Sequence, residues 1–150
     1  MILNKQNKQN KEQKMLKVTV KYQNTNVRRD TMMGSEWLEQ RSINLDNDFI
    51  NENYSNVAIH NLPESHPWGN DYGLCEALWT KHNEISTDEL KQSEGFDAVY
   101  THDVENSNWK DKGYIGHTFM YVGDIITIEN ESGETKVYFC DRIGFKQINA

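Results

Sequence analysis

The chain has 150 residues, a formal net charge of -7, a mean hydropathy of -0.86, and 36% hydrophobic and 11% aromatic residues. That length suits one domain with a small core rich in aromatic rings, and no stretch approaches the ~20 apolar residues of a membrane span. The two cysteines, Cys75 and Cys140, lie far apart without CxxC spacing, which excludes a disulfide framework and a zinc-finger signature.

The charge is uneven. Residues 1–30 hold eight Lys/Arg against two Asp/Glu, and residues 31–150 hold eight against 21. So acidic a body repels bare nucleic acid and anionic membrane at long range, and only the basic N-terminal arm opposes this locally. No apolar signal segment precedes the ordered text. The expected setting is a reducing host-cell cytoplasm with both thiols buried.

Residues 1–14 are rich in Asn, Gln and Lys and lack periodicity, so a flexible basic arm is expected there. Leu16, Val18, Val20 and Tyr22 alternate with Lys17, Thr19 and Lys21, which predicts a strand over 16–22 with one wet, basic face. Val27–Thr31 reads as a loop in which Arg28 and Arg29 pair with the acidic body or hold an anion. A short helix follows near 34–41 with Ser35 as N-cap. Residues 42–53 read as loop or ragged short helix. Asp46-Asn47-Asp48 lacks the Gly and distal Glu of a calcium loop.

A second strand is predicted over 57–62, closed by Pro63. The turn-rich 63–72 connection carries His66 and Trp68. Leu74, Cys75, Leu78 and Trp79 recur at helical spacing, so 71–82 forms the main helix, capped by Asn70 or Asp71. Ser86-Thr-Asp-Glu89 matches a capping box for a short helix to about Lys91. A strand over 96–101 leads into the polar loop 102–113, long enough to be functional, with Trp109 at its middle as a lid or a binding anchor. The chain ends in a meander with strands over 122–129, 135–140 and 145–148, turning at Gly133 and Gly144. On the first of these, Val122, Asp124, Ile126 and Ile128 share the more apolar face.

The fold class is therefore α+β. A mixed or antiparallel sheet with a C-terminal β-meander packs on one main helix (71–82) and one or two short helices. Residues 15–150 form a single domain behind the 1–14 arm. Trp37, Leu74, Leu78, Trp79, Ile126, Ile128, Tyr138 and Phe145 are the expected core.

The text His117-Thr-Phe-Met-Tyr-Val-Gly-Asp-Ile-Ile, a Gly-bearing turn, Val137-Tyr-Phe-Cys and then Ile143-Gly-Phe-Lys-Gln-Ile resembles the C-terminal half of YodL-like domains and small proteins of phages and mobile elements. The helix Leu74-Cys-Glu-Ala-Leu-Trp-Thr-Lys-His-Asn83 precedes it at a similar distance, so the resemblance spans about residues 72–148. It implies a protein that acts on a host by binding a cellular protein. It brings no catalytic residues, and it makes Gly116, Gly123, Asp124, Gly144 and Phe145 structural positions.

Catalytic constellations are thin. His102, Asp103 and His117 lack the HxH, HExxH or HxD spacing of a metal site. A Cys140–His117 nucleophile pair needs a low thiol pKa, which an apolar strand opposes. No metal, cofactor or catalytic residue is assigned. The candidate binding residues are Trp109, His102 and Asp103 in the 102–113 loop, His66 and Trp68, and Arg28 and Arg29.

The first function expected is a non-enzymatic accessory protein of a phage or mobile element that binds and modulates a host protein. The alternatives are an acidic nucleic-acid mimic that inhibits a restriction or other defence enzyme, a small hydrolase or nucleotide-binding protein using His102, His117 and Asp124, and a nucleic-acid binder using the arm and Trp109. No membrane partner is expected, and the oligomeric state is open.

Overall fold

The computed structural model describes residues 14–84, 98–100 and 119–148. The predicted arm before Lys14, the helix over 86–91 and the 102–113 loop with His102, Asp103 and Trp109 lie outside the described residues, as do Gly116 and His117.

Six strands form one sheet: β1 (Met15–Gln23), β2 (Tyr54–Pro63), β3 (Ala98–Tyr100), β4 (Ile125–Glu129), β5 (Thr135–Cys140) and β6 (Phe145–Ile148). Their order is β3-β2-β1-β4-β5-β6, and every described pairing is antiparallel. Of the two arrangements expected, the antiparallel one is found. Four helices complete the described chain: α1 (Arg28–Thr31), α2 (Ser35–Gln40), α3 (Asn47–Asn53) and α4 (Asp71–Glu84).

β1 lies at the centre, so its apolar alternation serves two neighbours. Leu16, Val18, Val20 and Tyr22 pack with Ile126, Ile128 and Tyr138 against Leu74, Cys75 and Leu78 of α4. A bulge between Val20 and Lys21 offsets the β1–β2 register by one residue. The extra residue lets Val57 and Ala58 enter the same core, where strict alternation would expel one of them. Each fully buried Leu or Ile contributes roughly 1.5–3 kcal/mol of transfer free energy.

Asn70 caps α4 by accepting the Gly73 N–H at 2.9 Å. Asp71 then ties the first turn to β5, accepting the Tyr138 hydroxyl at 2.7 Å, with Lys136 Nζ at 3.6 Å. Gly73 admits the Trp68 carbonyl against the helix, since a Cβ there would stand 1.9 Å from that oxygen.

The second face of the sheet is half covered, which the alternation alone does not predict. Leu38 of α2 and Ile50 of α3 pack on Tyr54, Ile125, Val137 and Phe139, with Trp37, Ile43 and Phe49 at the margin. Asp46 caps α3 by accepting the Phe49 N–H at 2.9 Å, so the Asp46-Asn47-Asp48 run starts a helix.

Three local expectations are corrected, the first at Arg28–Thr31, which is the one-turn helix α1 and not loop. Residues 122–124 are a tight turn and not strand, because Gly123 sits at φ +101° and the Asp124 side chain folds back to accept the Tyr121 N–H at 2.8 Å. Ser35 does not cap α2. Gly34 holds the N-cap position, and the Ser35 hydroxyl donates a short hydrogen bond to Asp141. A carboxylate from another element supplies the acceptor that the local sequence was expected to supply.

Of the expected core, Leu74, Leu78, Ile126, Ile128 and Tyr138 are buried, while Trp37, Trp79 and Phe145 cover the margins. Replacing Asn70 by Ala should destabilise the protein by about 1 kcal/mol, read as a lower urea midpoint at unchanged m-value. An unchanged midpoint would show that the α4 cap contributes nothing.

Candidate functional site

Three short elements meet beside the β5–β6 turn: α1, α2 and the turn Asp141–Gly144. Their placement begins at the end of β1. The Gln23 backbone N–H donates to Asp124 Oδ1 at 3.0 Å, and Gln23 Nε2 donates to the Val122 carbonyl at 3.1 Å. The Thr31 hydroxyl, at the end of α1, donates to Gln23 Oε1. The Tyr54 hydroxyl closes the knot by donating to the Gly123 carbonyl at 2.5 Å. Burial, then the charge of Asp124, raise the Tyr54 pKa well above its ordinary value, so this hydroxyl stays a donor.

The turn is held by Asp141. Its Oδ1 accepts the Ser35 N–H at 3.1 Å and the Arg142 N–H at 2.8 Å, and its Oδ2 accepts the Ser35 hydroxyl. Partial burial works against the ionised carboxyl. The Ser35 hydroxyl, the two backbone donors and Lys146 outweigh it and lower the pKa. Gly34, at φ +96°, lies so close that a Cβ would meet Asp141 Oδ1 at 2.9 Å and Arg142 Cγ at 3.0 Å. Asp141→Ala should therefore cost about 1–2 kcal/mol in chemical denaturation, and Asp141→Asn less, because an oxygen acceptor survives. Equal losses in the two variants would refute the capping role.

The resulting surface is unusual for an acidic chain. All four arginines of the sequence, Arg28, Arg29, Arg41 and Arg142, lie on these elements or directly after α2. Arg28 Nε reaches Met32 Sδ at 3.3 Å, and its guanidinium lies 5.7 Å from the Tyr121 ring centroid. Arg41 stacks on Trp37, whose Nε1 donates to Asp30 Oδ1 at 3.3 Å. Among the described residues neither Arg28 nor Arg29 forms an ion pair, contrary to the pairing expected with the acidic body.

Between the arginines stand apolar side chains in water. Met33 is 40% exposed, Tyr121 40% and Ile143 94%. Met33, Trp37, Arg142 and Ile143 help line a cleft of about 620 Å³ between α2 and the turn.

The other predicted residues serve packing where they are described. His66 is buried and stacks on Trp68 with ring centroids 5.7 Å apart, and Trp68 packs on the core under α4. Asp124 is fully buried and accepts two backbone N–H groups, so it is a structural anchor and not a proton-transfer group. Burial raises the pKa of both Cys75 and Cys140, holding them as inert thiols.

One polar cluster escaped sequence reading. His60 Nε2 and His82 Nε2 meet at 3.0 Å, and His82 Nδ1 lies 3.3 Å from the Tyr22 hydroxyl. Both imidazoles are fully buried. Their ring centroids are 5.3 Å apart, the separation of two rings meeting nitrogen to nitrogen in line. That geometry suits one shared proton and leaves no space for a metal ion between the nitrogens. Among the described residues no group of three His, Cys, Asp or Glu is placed to hold a metal.

The arrangement of glycine turn, buried aspartate and meander carries over to the comparison with known families. A family model described as the YodL-like domain matches residues 22–150. The chain belongs to the YodL-like domain family. The match reaches well beyond the half of the chain that the motif text covers. The YodL-like domain here takes in the end of β1, α1, α2 and β2 as well as α4 and the meander. Gln23 and Thr31, which hold Gly123, thus lie in the same YodL-like unit as the turn they support. Neither a search of curated proteins nor one of solved structures found a match.

Proposed function

We propose that this YodL-like protein is a non-enzymatic accessory factor of a phage or mobile element that docks on a host protein and modulates it. The observation that carries the reading is the surface of α1, α2 and the β5–β6 turn, where arginine, methionine, tryptophan, tyrosine and isoleucine stand together. Arg, Met and aromatic residues are the types enriched at protein interfaces, and such anchors dominate binding energy. Ile143 at 94% exposure gains about 1.5–3 kcal/mol on burial in a partner pocket. The turn that presents it is held rigid by Asp141, which lowers the ordering cost of docking.

A mimic of nucleic acid needs carboxylates at this kind of presentation site. The exposed carboxylates here, Glu36 and Glu39, stand among four arginines and exposed Met33 and Ile143 rather than in a phosphate-like row, and this favours the docking reading over the mimic.

The test is capture of a host protein by the tagged chain at low and high salt, compared with Met33→Asp and Ile143→Asp. Both positions are exposed, so the variants should fold as the parent does. The expected result is a partner retained at high salt and lost at least tenfold in Ile143→Asp, since a buried charge costs more than 1.4 kcal/mol. A partner that dissociates at high salt and ignores both variants would favour the mimic.

A further inference from the structure

The open half of the second sheet face carries an observation independent of protein docking. Lys17 and Lys21 of β1 point to that face with Thr19 between them. Thr127 lies cross-strand from Thr19, and Asn47 and Asn51 of α3 form the facing wall. Together these groups line a groove of about 360 Å³.

The donors in this groove are unused. Among the described residues, the side chains of Lys17, Thr19, Lys21, Thr127, Asn47 and Asn51 have no hydrogen bond or ion pair. Glu129 stands cross-strand from Lys17, yet the two do not close into an ion pair. Thr19 is 8% exposed, so the floor of the groove is recessed from bulk water. Two like charges, exposed at Lys17 and half-buried at Lys21, flank Thr19 on one face of β1, their Cα atoms about 13 Å apart, in a chain whose net charge is -7. Burial, then the nearby charge of Lys17, push the Lys21 ammonium below its ordinary range.

We infer that this groove binds a phosphoryl dianion, either inorganic phosphate or the terminal group of a small phosphomonoester, between Lys17, Lys21 and the hydroxyls of Thr19 and Thr127. A doubly charged oxyanion neutralises both lysines and accepts from the hydroxyl and amide donors that ring them. A small ligand suits the site better than a polyanion, because the acidic body repels a long chain of phosphates.

The experiment is an NMR titration of the ¹⁵N-labelled full chain with sodium phosphate, against sodium chloride at matched ionic strength. Glycerol phosphate and a short single-stranded DNA form two further arms. Saturable shifts at the amides of Lys17, Thr19, Lys21 and Thr127 are expected with phosphate and not with chloride. Lys21→Met should weaken binding by about tenfold or more, the loss of one charge-assisted contact. This variant removes a half-buried charge and should fold, while Lys146→Met on β6 should bind as the parent does. Tighter binding of glycerol phosphate assigns a phosphorylated metabolite, and equal binding assigns phosphate itself. Equal shifts with chloride, no saturable shift, or binding that survives Lys17→Met with Lys21→Met overturns the site. DNA binding at these amides more tightly than phosphate overturns the small-ligand assignment.

Discussion

Gly123→Ala should destabilise the protein by about 3–5 kcal/mol, enough to unfold much of it at ambient temperature if total stability lies in the usual range. Three effects add. The residue sits at φ +101°, where a side chain costs about 1–2 kcal/mol. An added Cβ would stand 2.0 Å from Gln23 Oε1 and 2.8 Å from the Thr31 carbonyl oxygen. Gln23 cannot swing away cheaply, because its amide holds the Val122 carbonyl and receives the Thr31 hydroxyl. Displacing it strands buried polar groups at about 1–3 kcal/mol. Gly133→Ala is the control, at φ +86° in a hairpin with nothing within 4 Å of the added carbon. Urea denaturation of both variants separates backbone strain from the clash. If they lose the same stability, the knot around Gln23 contributes nothing.

Acid should destabilise the fold well above the range in which carboxylates titrate. Burial lowers the pKa of His60 to about 4, and burial with the charge of His60 lowers that of His82 to about 3. Unfolded histidine titrates near 6.5. Above that value both rings are neutral in either state, and stability is at its full level. As pH falls below about 6.5, the unfolded chain takes up two protons that the folded core refuses. Stability then falls by about 1.4 kcal/mol per pH unit for each ring, until the folded pKa values are reached. Between pH 7 and 5 the expected loss is about 3–4 kcal/mol, read as a drop in Tm or urea midpoint.

His82→Gln should remove roughly half of this pH dependence. Asp141 acts in a separate, lower window. Its folded pKa is depressed, so its contribution is present above the unfolded carboxylate value and is lost as pH falls through the folded one. A midpoint that does not move between pH 7 and 5, or that moves equally in His82→Gln, would show that the two rings are not held neutral by burial.

What the sequence determined by itself is local and periodic. Leu74 and Leu78 at helical spacing behind Asn70 define α4, and the Gly133 and Gly144 turns with their alternating strands define the meander. Each of these signals is complete within a dozen residues, because propensity, alternation and capping act between near neighbours in the chain. The same text identified the family from residues 72–148, although the family's domain begins at residue 22. The residues that support the turn from outside that text are Gln23, Thr31 and Tyr54, which carry no motif of their own.

The tertiary structure alone decided the rest. His60 on β2 and His82 on α4 meet only because α4 lies across the sheet. Ser35 is tied to Asp141 from the far end of the chain, and Gln23 to Asp124 likewise. Leu38, in the short helix expected near 34–41, and Ile50, in the stretch expected as loop or ragged helix, have no assigned partners until Ile125 and Phe139 meet them on the second face. The candidate docking surface has the same origin. Arg28 and Met33 belong to one stretch of chain and Ile143 to another more than a hundred residues on, and packing of α1 and α2 beside the β5–β6 turn makes them neighbours. Sequence spacing records contacts that the backbone dihedrals of one element impose. Contacts between elements depend on which faces pack, and only the assembled core specifies that.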